Sequence, residues 1–427
     1  METTYFFYSS KHDEKNAFRN GLGVIVGAAL PLTLLIFISA KWLDSFHNTG
    51  NYLYYQLIAG MLLFDALAVL PFAQLRRENK AKKFALLKFL NIILNVAFNL
   101  LFFYACSALA DSPKWGQYFN PAQKVFFIFV SNFLASAIVL LAVSPQIIQN
   151  PPTFKFNHIG KMLKYAWPLI AVGIAAAINE TFDKPLLEYL LPLSQEEARA
   201  EIGIYGAAYR LGIAMVLVVQ AFKFAAEPFF FSIQKNSDAK PTYALVLKWF
   251  VIVQCLVFLA VALNIDSIIH LLDERYHAGK NIVAIVLLAQ MCLGIYYNLS
   301  VWYKLTEKTI WGMYMSFAGL AVTLMVNFWL VPIPGIGYLG AALATLSCYL
   351  VMMLLSFIIG RKYYPIPYQY GRISLYVVLS VVFWLLFKGS GVEGFTQQTI
   401  VSVLLILLFM AVVWHLEKPK NLILLRK

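Results

Sequence analysis

LRRENKAKKFALLKFLNIILNVAFNLLF, residues 75–102, is a basic loop that runs straight into a long apolar segment. A bilayer core about 30 Å thick needs about 20 apolar residues in a helix, and this segment is long enough to cross one. Read outward in both directions, the chain holds twelve such segments: 21–40, 52–72, 84–106, 122–144, 162–190, 202–226, 243–265, 280–302, 310–333, 338–360, 373–388 and 398–415. The fifth is long for one span and is expected to tilt or protrude. The connections are short and leave no room for an inserted soluble domain. Asn150-Pro151-Pro152, Pro332, Pro334-Gly335, Pro365 and Pro367 mark interruptions with loop chemistry. The expected class is all-α: a polytopic membrane protein with about twelve spans.

Composition agrees. The 427 residues are 61% hydrophobic and 13% charged. A soluble domain keeps about a quarter of its residues charged to wet its surface. The net charge of +13 lies in short clusters between apolar runs. That suits a membrane surface rather than nucleic acid. Cys106, Cys255, Cys292 and Cys348 each sit inside an apolar run, without metal-ligand or disulfide spacing. METTYFFYSSKHDEK lacks the basic-then-apolar order of a signal peptide.

Loop charge sets an orientation. With the N-terminus cytoplasmic and the spans alternating, the cytoplasmic segments hold 22 of the 34 Lys and Arg residues, including Lys418, Lys420, Arg426 and Lys427 of the tail. The opposite side holds 6. The bias predicts both termini on the cytoplasmic side.

The opening stretch also recurs. At an offset near 228 residues it falls on KLTEKTIWGMYMSFAGLAVTLMVNFWL (304–330), so that Lys80 meets Lys308 and Asn99 meets Asn327. Spans one to four then correspond to spans seven to ten, and repeats of this kind are a transporter signature. Glu2-Thr3-Thr4-Tyr5-Phe6-Phe7 resembles Glu227-Pro228-Phe229-Phe230-Phe231. The second copy has two spans before that point and the first has none. The expectation is that two helices, roughly 65–75 residues, are missing from the first bundle, through a misassigned start or a truncation; a natural four-plus-six arrangement is the alternative.

AINETFDKPLLEYLLP (177–192), GIYGAAYRLGIAMVLVVQAFKFAAEPFFF (203–231), LGIYYNLSVWYKLTEKT (293–309) and FDALAVLPFAQLRRENKAKKFALLKFLNI (64–92) resemble the polysaccharide and O-antigen flippases of the multidrug/oligosaccharidyl-lipid/polysaccharide exporter superfamily. The resemblance implies fourteen helices: two six-helix lobes around a cavity, plus two more. Carried over, residues 1–150 are an N-terminal lobe remnant of four spans, 151–363 a C-terminal lobe of six, and 364–427 two extra spans and a basic tail. It further implies alternating-access transport of undecaprenyl-pyrophosphate-linked oligosaccharides across the bacterial inner membrane, for O-antigen, capsule or exopolysaccharide synthesis. Membrane lipids and glycan-polymerase machinery are the implied partners, with no resident cofactor and no enzymatic activity.

A pyrophosphate and its sugars need a polar path, so ionisable groups within spans are the first candidates. Glu180, Asp183 and Lys184 share a helix face by i, i+3, i+4 spacing, and Arg210 lies on the next span. They are expected to form an ion-pair cluster, either a gate and anion contact or a static pair fixing helix register. Lys223 and Glu227 lie near the cytoplasmic end of the sixth span, where a lysine also snorkels. Asp65, inside the second span, is the candidate for H+ or Na+ coupling, or a partner for Arg76 or Arg77. Arg76, Arg77, Lys80, Lys82 and Lys83 form the densest basic cluster, a cytoplasmic vestibule or a lipid contact. Asn91, Asn95 and Asn99 repeat along one face of the third span, and Asn298 sits among Tyr296, Tyr297, Trp302 and Tyr303. These amides bond neighbouring helices or meet sugar hydroxyls. No metal-ligand cluster, P-loop or nucleophile elbow appears. A cation-coupled multidrug exporter on the same fold, or an inactive truncated relative, are the rival readings. A glycan polymerase would show a long catalytic outward loop, and the longest here is roughly 15 residues.

Overall fold

The structure, a computed structural model, describes residues 1–11, 14–110, 112, 114–116, 119, 124–392 and 394–417. The predicted cytoplasmic tail residues Lys418, Lys420, Arg426 and Lys427 lie outside the described residues. Among the described residues, twelve helices are long and apolar enough to cross a membrane, and the fold is all-helical.

The chain divides into two compact units, residues 1–167 and 168–427. The first contains α1 (Glu2–Lys11), α2 (Glu14–Ile38), α3 (Ala40–His47), α4 (Leu53–Arg77), α5 (Ala81–Ala108) and α6 (Lys124–Gln149). The division falls within α7 (Phe156–Thr181). The second holds α8 (Asp183–Leu190), α9 (Gln195–Leu211), α10 (Ile213–Ile233), α11 (Ala239–Ala262), α12 (Ile265–Ile268), α13 (Lys280–Leu299), α14 (Val301–Leu305), α15 (Ile310–Leu330), α16 (Tyr338–Tyr363), α17 (Tyr370–Gly389) and α18 (Phe395–Leu416).

The first unit reaches past the sequence boundary at 150 because the following strap is bonded to α2. Thr153 N donates to Arg19 O (3.0 Å), Arg19 Nε to Pro151 O (3.1 Å) and Thr153 Oγ1 to Asn20 Oδ1 (2.9 Å). Tyr165 then stacks on Phe7 at 4.5 Å.

Two expected single spans are broken helices. Pro185 has no amide hydrogen to give to Thr181, so α7 ends at Thr181 and α8 restarts at Asp183. Gly212 separates α9 from α10, and a Cβ there would lie 3.0 Å from Val286 Cγ1, so glycine allows α13 its close approach. The start of α9 is fixed by a capping box: Ser194 Oγ accepts from Glu197 N, and Glu197 accepts from Ser194 N. On α5, Leu86, Phe89, Ile93, Val96 and Leu100 are all exposed, a side-chain row suited to lipid rather than water.

The internal repeat is visible in packing. In the first unit α4 packs on α2 and α6, and α6 on α5; in the second α13 packs on α11 and α16, and α16 on α15. The basic loops turn at equivalent places, Asn79 with φ 56° and Glu307 with φ 62°. Asn99 Nδ2 donates to Asn95 O (2.8 Å), and Asn327 Nδ2 to Thr323 O (2.9 Å).

Helices α17 and α18 pack on α11, burying Tyr376, Phe383 and Phe409 against a core that includes Val251, Cys255 and Phe258. The seam ends in a buried ionic cluster. Lys248 of α11 pairs with Glu417, which also accepts from Arg372 (3.0 Å) and Tyr376 (2.9 Å).

Candidate functional site

Asp183 opens α8 and is 5% exposed. Its Oδ2 accepts from Tyr205 OH of α9 at 2.9 Å and from Thr345 Oγ1 of α16 at 3.1 Å. Oδ1 is buried without a hydrogen-bond partner. One turn back on α7, the Asn179 side chain accepts from Thr323 of α15. Asn327, a turn beyond Thr323, keeps its buried Oδ1 free of hydrogen bonds. On the α9 side, Tyr209 OH accepts from Gln290 Nε2 of α13 at 2.7 Å. Helices α7 to α9, α13, α15 and α16 of the second unit therefore meet around oxygen-rich side chains in an apolar bundle.

Among the described residues no cation is paired with Asp183. A buried carboxylate held by two hydroxyls alone keeps a large desolvation cost. It relieves that cost by taking a proton, or a small cation ligated by oxygens.

The expected ion-pair cluster does not form. Glu180, Lys184 and Arg210 are exposed, and no ion pair joins them to Asp183 or to one another among the described residues. The helix break at Pro185 is the reason the simple face rule fails: Asp183 belongs to a new helix and turns into the bundle. Glu180 lies within electrostatic reach of Tyr209 and Tyr297.

The vestibule residues are engaged by partners the sequence reading did not assign. Arg76, 8% exposed, pairs with Glu2 and lies over the Phe6 ring at 5.4 Å. Arg77 pairs with Glu14 at 3.2 Å and donates to Ser9 O at 2.6 Å, and Lys80 pairs with Glu78 at 2.7 Å. Neither arginine is paired with Asp65 among these contacts. Asp65 is exposed on α4, and the cation within its electrostatic reach is Lys88 of α5. Glu227 pairs with Lys304 at 3.0 Å, while Lys223 sits 4.9 Å from the Tyr297 ring centre.

Of the amides, Asn95 bonds Asn132 of α6 and Asn99 bonds Asn95, a helix-to-helix role. Asn91 is half-buried. Asn298 is 0% exposed and its amide atoms have no hydrogen-bond partner, so no sugar reaches it in this conformation. Tyr205, Thr345, Thr323, Asn179, Glu2 and Lys304 were missed. For Glu2 and Lys304 the signal was the repeat itself, which pairs each cation with an acid of an earlier helix; Tyr205, Thr345, Thr323 and Asn179 are joined by contacts between helices distant in sequence, which no motif marks.

Residues 8–234, just over half of the chain, match the sequence profile of a family described as polysaccharide biosynthesis protein. The chain belongs to that family. It is similar to the lipid II flippase MurJ in an inward closed conformation (TM-score 0.58, 13% identity, covering 97% of this chain and 88% of that one). It is similar to a MATE in the straight conformation (TM-score 0.63, 13% identity, 88% and 83% covered) and to the Vibrio cholerae MATE transporter VcmN in the bent form (TM-score 0.59, 12% identity, 88% and 85% covered). No curated protein matches the sequence. The family member therefore shares the fold of these solved structures.

Proposed function

We propose that this family member flips a lipid-linked oligosaccharide, carried on undecaprenyl pyrophosphate, across the bacterial inner membrane by alternating access. The observation that carries the reading is the recurrence of one carboxylate–cation pair, Glu2–Arg76 and Glu227–Lys304, at the equivalent end of each repeated bundle. Repeated bundles supply the two-sided architecture of a transporter. Family membership supplies the glycan. Within its own unit, Arg76, beside Arg77 and Lys80 in sequence, or Lys304, whose partner Glu227 lies one turn from Lys223, is a cation that a pyrophosphate entering from the cytoplasmic side would recruit. Glu2 and Glu227 hold them until it arrives. Lys and Arg bias supports both termini on the cytoplasmic side. Coupling to H+ or Na+ is assigned to Asp183 in preference to Asp65, because Asp183 is buried and lacks a cation. Glu180, Lys184 and Arg210, exposed on the same unit, are kept as substrate contacts. Glycan-polymerase machinery is the expected partner.

The test is complementation of a flippase-null strain. Surface glycan restored by the chain, and lost in Arg76→Ala plus Lys304→Ala, supports the reading. A well-folded, membrane-inserted chain that restores none contradicts it. The MATE-like fold favours a second reading, a cation-coupled drug exporter. Drug resistance without glycan rescue would select it.

A further inference from the structure

At the end of the second unit opposite the Glu227–Lys304 pair lies a half-open cavity of about 240 Å³. It is walled by the end of α11, the starts of α12, α13 and α18, and the end of α17. Its lining combines the apolar Ala262, Ile265, Ala284 and Phe387 with the polar or charged Asp266, Lys280, Lys388 and Gln398. Asp266 is engaged: Lys280 Nζ lies 3.1 Å from Oδ1, and Gln398 Nε2 3.5 Å from Oδ2. Lys388 has no carboxylate partner among the described residues and rests 5.7 Å from the Trp384 ring centre. The described lining thus holds two cations against one acid.

Three features identify the occupant. Lys388 in the last turn of a spanning helix, with Trp384 one turn before it, marks headgroup depth, where indole and ammonium both prefer to sit. The cavity is smaller than the roughly 300–1,000 Å³ of small-molecule pockets and suits a headgroup. Leu385, Leu386 and Phe395, close in sequence to the lining residues, are exposed at 53%, 62% and 70%, apolar surface suited to acyl chains. We propose that the cavity holds the headgroup of an acidic phospholipid, with its phosphate on Lys388 and Lys280 and the glycerol against Phe387 and Ile265. The net positive charge of its described lining matches a headgroup with one negative charge. The site needs the membrane embedding and not the transport reading.

The experiment uses the full chain in nanodiscs containing phosphatidylglycerol with a photoactivatable headgroup, and maps the labelled residues by mass spectrometry. Labelling is expected on 262–284 and 384–398. It should be competed by unlabelled phosphatidylglycerol and poorly by phosphatidylcholine. Lys388→Gln should reduce it about fivefold, the factor expected for one lysine at an anionic surface. Lys388→Glu should reduce it further, and Lys362→Gln, at the other end of the unit, should leave it unchanged. Lys388 is exposed, so an unaltered melting temperature verifies folding. Labelling that Lys388→Gln does not change, or that phosphatidylcholine competes equally, overturns the proposal. Stronger competition by undecaprenyl phosphate than by phosphatidylglycerol also overturns the phospholipid assignment and gives the site to the carrier lipid. Either failure leaves glycan rescue, measured separately, untouched.

Discussion

Lys304 and Glu227 form an ion pair at 3.0 Å, and Arg76 and Glu2 form its counterpart in the other unit, with Arg76 lying 228 residues before Lys304. Both pairs tie the end of one helix to the basic end of another within a single bundle. The first helix is α10 or α1, and the second is α14 or α4. The side chains of Lys304 and Glu227 are 16% and 9% exposed, so neither charge is well hydrated alone.

Removing one member should therefore cost more than removing both. Glu227→Gln or Lys304→Met alone is expected to destabilise the protein by about 2–4 kcal/mol, because a shielded charge loses its counterion. The double substitution should recover much of that, as should the exchange of Glu227→Lys with Lys304→Glu. Denaturation in detergent across the double-mutant cycle measures the coupling. Glu2 and Arg76 should behave in the same direction.

The cluster around Glu417 should give an acid-dependent step in stability. Burial alone would raise its carboxyl, but hydrogen bonds and charge from Lys248, Tyr376 and Arg372 outweigh burial and hold it below the usual glutamate range. A depressed carboxyl stabilises the fold above its unfolded value, near pH 4, and loses that contribution as pH falls through the folded value. The difference in melting temperature between the natural chain and Glu417→Gln should be constant from pH 7 to about 5 and shrink below that. Glu417→Gln should melt lower at pH 7 and show a smaller acid-dependent fall. An unchanged pH profile would remove Glu417 from the account.

Much of the fold was legible because lipid imposes a simple rule: about 20 apolar residues, then a loop. Twelve segments read that way became twelve long apolar helices. The repeat was legible from Lys80 and Asn99 against Lys308 and Asn327, and it reappears as the αL turns at Asn79 and Glu307. The site was less legible. The i, i+3, i+4 rule joined Glu180, Asp183 and Lys184 because it assumed one helix, and Pro185 breaks it. Tyr205 and Thr345 lie 22 and 162 residues from Asp183, and a span's hydropathy does not reveal which face of α16 meets which face of α8. Lys248 lies within the seventh span, and its burial is explained by partners distant in sequence, Gln369 and Glu417.

The amide bridge between α5 and α6 should be modest. Asn132→Ala is expected to cost about 0.6–2 kcal/mol, the range for polar contacts between membrane helices. Asn99→Ala should cost less, because its bonds stay within α5. Unfolding in mixed micelles separates the two, and a larger loss at Asn99 would contradict the bridge as described.

Asp183 should be costly to stability and necessary to coupling. Asp183→Asn keeps the shape and one acceptor oxygen, and removes the buried charge. Stability is expected to hold or rise by about 1 kcal/mol. Tyr205→Phe and Thr345→Val, which remove the hydroxyl donors, should each lower stability by about 1–3 kcal/mol. A stability loss in Asp183→Asn comparable to theirs would mean that the carboxylate is held by an unrecognised counterion.

The most direct measurement is flipping itself, in proteoliposomes loaded with a fluorescent oligosaccharide on undecaprenyl pyrophosphate and subjected to an imposed H+ or Na+ gradient. The account predicts that the protein raises the fraction of label accessible on the far leaflet, that one of the two gradients accelerates it, and that Asp183→Asn abolishes the acceleration. Label that crosses no faster than in protein-free vesicles, under either gradient and with folded protein present, would contradict it.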